Sequence, residues 1–153
     1  MGNTYTQLLV QIVFAVKYRR SMIHEDFREP LEKYMTGIIQ NNKHKLFAIY
    51  CMPDHCHILV GLHPAQSLSD LVRDIKSNSS KWINDHQYTN SKFQWQEGFG
   101  AFSYAKSELD RVVKYILNQP ENHRKRTFKK EYIHFLNIYH VDYDEQYLFD
   151  WFD

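Results

Sequence analysis

The chain is poor in the features that mark secreted or membrane-spanning proteins. It has two cysteines, Cys51 and Cys56, and their spacing is not typical of a zinc site or a disulfide framework. No apolar run approaches the roughly 20 residues that a membrane span needs, and no basic segment followed by an apolar stretch opens the sequence. We therefore expect a protein of the reducing cytoplasm that has no membrane partner.

Glycine and proline are also scarce, at five and four residues, and no linker, internal repeat or low-complexity stretch interrupts the chain. Hydrophobic residues make up 43% and charged residues 24% of the 153 positions, which is ordinary for a globular protein. A chain of this length can bury a core. We expect a single domain over residues 1–153 that ends in an acidic, aromatic tail at 139–153.

Positive charge is unevenly distributed along the chain. All 19 lysines and arginines lie at or before Lys130, whereas five of the 18 acidic residues lie in the last dozen positions. The first 141 residues thus carry 19 basic and 13 acidic groups, a surplus of six, although the formal net charge of the whole chain is +1. Such a surplus is compatible with a phosphate backbone as the partner but does not require one.

Hydrophobic periodicity predicts alternating strands and helices. Strands are expected at residues 5–18, 45–52, 56–62 and 98–104, and helices at 26–42, after Ser67, from Ser107 to near Pro120, and from about Thr127. The two serines are expected to cap their helices. This order predicts an α+β fold of the ferredoxin-like, split βαβ type, with an antiparallel sheet and helices packed mainly on one face.

Two histidines stand two positions apart on a predicted strand. Because alternate residues of a strand face the same side, His55 and His57 point to one face and can share a metal ion, while Cys56 points to the other face as a small buried hydrophobe. Imidazole binds Mn, Zn, Fe or Ni and can assist a harder ion. Taken alone, two histidines at this spacing are more often ordinary surface or half-buried residues than metal ligands.

The helix before Pro120 carries a tyrosine away from its apolar stripe. The stripe consists of Leu109, Val112, Val113, Ile116 and Leu117. At about 100° per residue, Tyr115 lies about 130° from the centre of the stripe, beside Arg111 and one turn before Gln119. The phenol and the Gln119 amide oxygen can therefore face the same region. For one tyrosine among eleven an ordinary surface position is the simpler interpretation, and only the combination with the histidines favours chemistry.

The two elements together resemble the signatures of the single-tyrosine HUH transposases, which move insertion sequences as single strands. The segment PDHCH at residues 53–57 is similar to the histidine motif, and KYILNQ at residues 114–119 is similar to the tyrosine helix. Three further stretches resemble the family, namely VKYRR, DIKSNSSKW and FQWQEGFGAFSY, so the resemblance covers about residues 5–135. One difference is Cys56, where the family usually has a bulky hydrophobe.

The resemblance implies a metal-dependent transposase with its catalytic tyrosine on a C-terminal helix. In this interpretation His55, His57 and Gln119 hold Mg²⁺ or Mn²⁺, which stabilises charge on the scissile phosphate. Tyr115 attacks single-stranded DNA at hairpin-bearing ends of an insertion sequence and leaves a 5′-phosphotyrosine, which a second strand can reseal. The resemblance also implies a homodimer in which the histidines of one subunit meet the tyrosine of the other.

Basic and polar residues on the predicted helices are candidate DNA contacts. They are Arg73, Lys76 and Ser80 on one helix face, Arg111 beside the tyrosine, and Arg124, Lys125 and Arg126 in a basic cluster. A solvated helix face explains each group equally well. The aromatic residues between positions 93 and 102 could stack on unpaired bases, but aromatics at strand spacing are more often core.

Three other functions remain open from the sequence. The chain could be a domesticated relative that cleaves chromosomal repeat hairpins, a replication-type nickase, or a hairpin-binding regulator that has lost catalysis. Inverted repeats beside the gene favour a mobile element, whereas scattered repeats favour domestication. The intact set of two histidines, tyrosine and glutamine argues against a loss of catalysis.

Overall fold

The computed structural model describes residues 2–144 and 148, and its centre is an antiparallel sheet of four strands in the order β2-β3-β1-β4. The strands are β1 (Leu9–Ala15), β2 (Lys45–Cys51), β3 (His55–Gly61) and β4 (Gly100–Tyr104). The helices are α1 (Glu25–Asn41), α2 (Leu68–Asp85), α3 (Leu109–Leu117), α4 (Gln119–Lys125) and α5 (Phe128–Ile138). Helices α1 and α2 each connect two strands that are not neighbours in the sheet, so the predicted α+β, split βαβ fold is confirmed.

The two long helices, α1 and α2, cover one face of the sheet, which we call the apolar face. Side chains of β1 and β3 that point to this face, such as Phe14 and Ile58, are completely buried against them. Helix α1 contributes an i, i+4 stripe of Phe27, Leu31, Met35 and Ile39. Helical spacing on one side and strand alternation on the other thus produce a continuous hydrophobic layer.

The opposite face, which we call the site face, is covered by α3 and α5. Val112 and Ile116 of α3 and Phe135 of α5 pack with Val13 of β1 and Leu59 of β3. The expected placement of helices on one face therefore describes α1 and α2 but not the C-terminal helices. Because β1 and β3 are almost entirely buried, both of their faces need a covering layer.

Side-chain caps set the start of two helices, and one of these caps, Ser67, was expected. The Ser67 hydroxyl accepts a hydrogen bond from the backbone N–H of Asp70 at 3.1 Å, and Thr127 caps α5 in the same way. Ser107, which was expected to cap α3, lies instead inside a 3-10 turn at Lys106–Glu108. The Glu108 carboxylate accepts from the backbone N–H of Ala105 at 3.1 Å, so the turn is closed by the acid rather than by the serine.

A helix break that the sequence analysis did not predict follows the tyrosine. Helix α3 ends at Leu117, which is 54% exposed rather than part of the apolar stripe, and α4 begins at Gln119. Pro120 fits the first turn of α4, where its missing N–H needs no partner. The Asn122 side chain donates to the Tyr115 carbonyl at 2.8 Å and so satisfies a backbone acceptor at the end of α3.

The predicted strands at 5–18 and 98–104 are longer than β1 and β4. After β1 the chain forms a 3-10 turn at Lys17–Arg19, in which Tyr18 has a φ of 60°.

The aromatic residues Phe93, Trp95 and Phe102 are buried in the core rather than exposed for base stacking. None of the helices within residues 2–144 has the length and hydropathy of a bilayer span. Most of the acidic tail at 139–153 lies outside the described residues.

Candidate metal and tyrosine site

The histidine pair lies at the start of β3, on the site face. The side chains of His55 and His57 are 1% and 0% exposed, and their ring centroids are 5.2 Å apart. The residue between them, Cys56, is buried on the apolar face, where its sulfur lies 3.0 Å from the sulfur of Cys51. Strand alternation therefore separates the imidazoles from the thiols, as the two-residue period predicts.

An acid in the preceding turn orients His55. Nδ1 of His55 lies 2.7 Å from a carboxylate oxygen of Asp54, and the other Asp54 oxygen accepts from Arg19 at 3.1 Å. An imidazole that donates through Nδ1 presents the lone pair of Nε2, the form that binds metals. Among the described residues, Nε2 of His55 has no hydrogen-bond partner although it is buried.

A polar residue of β1 orients His57 in the same way. Nδ1 of His57 lies 2.7 Å from the amide oxygen of Gln11, and the Gln11 amide nitrogen donates to the Tyr104 hydroxyl at 2.7 Å. Gln11 is completely buried, so its amide is held on both sides. Gln11 was not among the site residues predicted from the sequence, although it is the single glutamine among the apolar residues of a central strand.

A carboxylate and a third imidazole that the sequence analysis also missed complete the cluster. Glu131, in the first turn of α5, is 1% exposed, and its Oε1 lies 3.0 Å from Nε2 of His57 and 3.4 Å from Nε2 of His123. Ligand atoms of these three residues and of His55 all lie within 4.8 Å of one another. An acid at the i+3 position of the apolar stripe that starts at Phe128 was the available signal.

Tyr115 reaches the same cluster from α3. Its hydroxyl donates to Oε2 of Glu131, and its ring centroid is 6.2 Å from that of His57. The tyrosine and the histidines therefore meet within one chain, and their meeting does not require the second subunit that the family resemblance implied. Tyr115 is half-buried, whereas the histidines of β3 are enclosed.

Gln119 lies beside the cluster at the start of α4. It is completely buried, and its amide oxygen lies 3.0 Å from Nε2 of His123. Its amide nitrogen points to the Tyr115 carbonyl at 3.5 Å. The helix break thus turns the glutamine side chain inward, to the region that Tyr115 also faces.

Burial and close contacts shift the proton affinities of the cluster. Burial lowers the pKa of His55 to about 4, against the effect of Asp54, so its imidazole is neutral at neutral pH. Burial and then the Glu131 carboxylate raise the pKa of Tyr115 well above its usual value, while Arg126 acts in the opposite direction. Burial also favours the neutral acid at Glu131, but the contacts with His57 and His123 outweigh it and hold the pKa well below the usual range.

The donor set of the cluster fits a divalent metal ion. Three imidazoles and one carboxylate converge, and an enclosed nitrogen, Nε2 of His55, is left without a partner among residues 2–144 and 148. The ring of Phe128 stacks on His55 with a centroid distance of 3.8 Å and shields that side from water. Imidazole nitrogens and carboxylate oxygens are common ligands of transition metals.

Three of the candidate DNA contacts lie together on α2, away from this cluster. Arg73, Lys76 and Ser80 line a surface cavity of about 520 Å³ together with Trp95 and Phe99. The Lys76 ammonium donates to the Gln96 carbonyl at 2.8 Å, so it already ties the following loop to the helix. Burial lowers the pKa of Lys76 to about 8.

The remaining basic candidates lie on α3, on α4 and directly after α4. Arg111 and Arg124 are 67% and 78% exposed and form ion pairs with acids three residues away on the helix surface. Lys125 is exposed. Arg126 is half-buried and close enough to Tyr115 to favour its phenolate. The structure therefore brings one basic candidate, Arg126, to the cluster.

Proteins named as transposases are similar to this chain in sequence. The transposase for insertion sequence element IS200 of Salmonella typhimurium is 25% identical over 127 residues, which cover 79% of this chain and 82% of that protein. The ISDra2 transposase TnpA of Deinococcus radiodurans is 29% identical over 80 residues, 52% of this chain. That alignment spans little more than half of the Deinococcus protein, 56%.

Two solved structures share the fold. A crystal structure of a candidate transposase from Deinococcus radiodurans superposes with a TM-score of 0.60 at 22% identity and covers 78% of this chain and 96% of that one. A REP-associated tyrosine transposase bound to a REP hairpin superposes with a TM-score of 0.61 at 17% identity, covering 80% and 73%. The family described as "Transposase IS200 like" matches residues 4–119, from before β1 to the start of α4. With its fold and three quarters of its length accounted for in this way, the chain belongs to the IS200-like transposase family.

Proposed function

We propose that the chain is a DNA transposase that cleaves and rejoins single-stranded DNA with Tyr115 as the nucleophile. His55, His57 and the amide oxygen of Gln119 hold a divalent metal beside it. The observation that carries the proposal is the shared carboxylate: Glu131 binds the Tyr115 hydroxyl through one oxygen and His57 through the other. A phenol and a metal-binding imidazole on one carboxylate are close enough to act on the same phosphate.

The side chains of the cluster have different roles in the cleavage step. The Tyr115 oxygen attacks the scissile phosphorus and gives up its proton to water, because the low pKa of Glu131 makes that carboxylate too weak a base to keep it. The bond from phosphorus to the 3′ oxygen breaks and this oxygen takes up a proton from water, which leaves a 5′-phosphotyrosine and a 3′-OH. Arg126 favours the phenolate. When bound there, a Mg²⁺ or Mn²⁺ ion would supply Lewis-acid stabilisation of the charge on the phosphate oxygens. His123 and Tyr115 are the partly exposed members of the cluster, so the strand approaches from their side.

The covalent link permits rejoining without another energy source. A phosphotyrosine retains the free energy of the phosphodiester bond, so the 3′-OH of a second strand can displace Tyr115 and reseal the DNA. The DNA ligand is an insertion-sequence end that contains a hairpin; a relative with the same fold binds a REP hairpin. The cavity lined by Arg73, Lys76 and Ser80 offers phosphate contacts for such a hairpin.

The first prediction concerns the nucleophile. Tyr115→Phe should abolish the covalent adduct with labelled single-stranded element ends in the presence of Mg²⁺ or Mn²⁺, because no other side chain can replace the attacking oxygen. Binding of hairpin DNA should persist, since the phosphate contacts lie elsewhere. Denaturing electrophoresis of the protein–DNA mixture measures the adduct. Tyr132→Phe, a buried tyrosine on the same face, is the control and should form it.

An adduct that persists in Tyr115→Phe would contradict the assignment. Hairpin binding without any adduct in the wild-type chain would favour the regulator that has lost catalysis. Cleavage of chromosomal repeat hairpins in preference to element ends would favour the domesticated relative, and cleavage at a replication origin would favour the nickase.

The second prediction concerns the composition of the site. Since Tyr115 and His57 meet in one chain, we propose that the site acts in cis, while the homodimer stays a prediction. If Tyr115→Phe and His57→Ala proteins are mixed and allowed to exchange subunits, every cis site keeps one lesion and no cleavage returns. A site shared between subunits would regain cleavage and would place the adduct on the His57→Ala chain. Tagged subunits must first show that exchange occurs, and that co-purification also tests the dimer.

A further inference from the structure

Two residues that follow the segment matched by the family lie where further ligands of the metal ion at His55 and His57 would lie. The match ends at residue 119, whereas His123 lies in α4 and Glu131 in α5. Oε1 of Glu131 is 3.0 Å from Nε2 of His57 and 3.4 Å from Nε2 of His123. Ligands that bind one tetrahedral ion at about 2.0–2.1 Å are themselves about 3.3 Å apart, so both distances match those of atoms that share an ion.

The hydrogen bonds at Nδ1 of His55 and His57 leave the lone pairs of their Nε2 atoms facing the centre of the cluster. His57 donates through Nδ1 to Gln11, so its Nε2 and the Glu131 carboxylate bring two lone pairs to 3.0 Å. A proton on His57 would relieve that contact but would leave Nε2 of His55 buried and without a partner among the described residues. A cation at the centre satisfies both nitrogens and the carboxylate, and unsatisfied buried polar atoms are costly.

We propose that His123 and Glu131 are ligands of the divalent ion at His55 and His57, and that the resulting site, with three imidazoles and one carboxylate beside the amide oxygen of Gln119, selects Mn²⁺ over Mg²⁺. The inference rests on the metal site of the proposed function. Mg²⁺ prefers six oxygen ligands and retains several waters, whereas imidazole nitrogens suit later divalent ions. An enclosed, nitrogen-rich cage therefore disfavours Mg²⁺.

Binding of Mn²⁺ to the intact chain tests the inference without reference to DNA. The electron paramagnetic resonance signal of free Mn²⁺ reports the bound fraction, and Mg²⁺ is added as the competitor. We expect one Mn²⁺ per chain and a Mg²⁺ dissociation constant at least about tenfold larger. Glu131→Gln preserves the shape but removes the anionic donor, and His123→Gln removes an imidazole; each should weaken Mn²⁺ binding about tenfold or more.

Matched variants separate ligation from general charge and folding effects. His134→Gln, an exposed position on α5, and Glu121→Gln, an exposed position on α4, should bind Mn²⁺ as the wild type does. Circular dichroism of the metal-free proteins checks the fold. If Glu131→Gln does not fold, His123→Gln decides, because His123 is at the edge of the cluster with 14% of its side chain exposed.

The outcomes distinguish this inference from the proposed function. Unchanged Mn²⁺ affinity in both ligand variants, or Mg²⁺ competing as well as Mn²⁺, would overturn the inference while adduct formation at Tyr115 would still support the transposase. Conversely, Mn²⁺ binding that depends on Glu131 and His123 in a chain that forms no adduct would support the metal site and overturn the proposed chemistry.

Discussion

On one face of the sheet β3 presents Cys56 and Ile58, and on the other face, one position away, it presents His55 and His57. The first pair packs against α1 and α2 in a layer of hydrophobic side chains. The second pair meets Tyr115 and Glu131, which are buried or half-buried. The same strand therefore serves both a core and a candidate active site, and the two-residue period keeps the two environments apart.

The two faces also differ in what stabilises them. The apolar face gains free energy from buried hydrophobic area, about 25 cal/mol per Å². The polar side chains of the site face gain little from burial and must each find a partner. Gln11 and Asp54 supply those partners for His57 and His55. We conclude that substitutions on the apolar face should act on stability, and those on the site face mainly on metal binding and cleavage.

The sharpest test of this comparison uses neighbouring residues of β3. His57→Ala should abolish both Mn²⁺ binding and cleavage, because it removes a ligand. Cys56→Ala, one position away, should retain both and lose about 1 kcal/mol of unfolding free energy, the usual scale for a small buried side chain. Metal binding, adduct yield and thermal unfolding are measured on the same preparations.

Activity is compared at equal folded fraction, because His57→Ala also removes one polar partner each from Gln11 and Glu131 and will lower stability. Loss of cleavage in Cys56→Ala to the level of His57→Ala would break the comparison. It would mean that packing on the apolar face controls the site as strongly as the ligands do.

A smaller effect is expected one strand away, where Gln11 supports His57 without facing the centre of the cluster. Gln11→Leu removes the acceptor for Nδ1 of His57 and should weaken Mn²⁺ binding about 10- to 100-fold, as is usual for such supporting residues. Ile12→Val, the next residue of β1, faces the apolar layer and is the control. It should cost about 0.5–1.5 kcal/mol of stability and leave the dissociation constant unchanged. Equal metal affinity in both variants would exclude a positioning role for Gln11.

These expectations also show how far local sequence patterns reach. The separation of His55 from Cys56 follows from strand alternation alone, and the start of α2 follows from the Ser67 cap. Both depend on residues within four positions of each other. The sequence likewise suggested that Tyr115 and Gln119 face one region. The structure shows them facing it across a helix break that no periodicity predicted.

The contacts that complete the site depend instead on how α5 packs against the sheet. Glu131 meets His57 only because α5 packs on the site face, and the two residues are 74 positions apart. The apolar stripe of α5 predicts that it packs somewhere, but not against which strand. The same limitation explains why helices were expected mainly on one face. Burial of β1 and β3 on both sides is a property of the assembled sheet.

The smallest predicted effect lies outside both faces, in the cavity on α2. The Arg73 side chain is 68% exposed and contacts Asp70 at 3.2 Å, so DNA must compete with an existing ion pair. Arg73→Ala should therefore weaken binding of hairpin DNA only a few-fold and reduce the slope of log K against log salt by about one. Lys81→Ala is matched to it, because Lys81 is also an exposed, ion-paired cation of α2 but does not line the cavity. Lys81→Ala should leave the affinity and the salt slope unchanged. An equal loss of affinity in both variants would mean that DNA binding depends on the net charge of the helix and not on contacts in the cavity. Arg73 would then be a solvated surface residue.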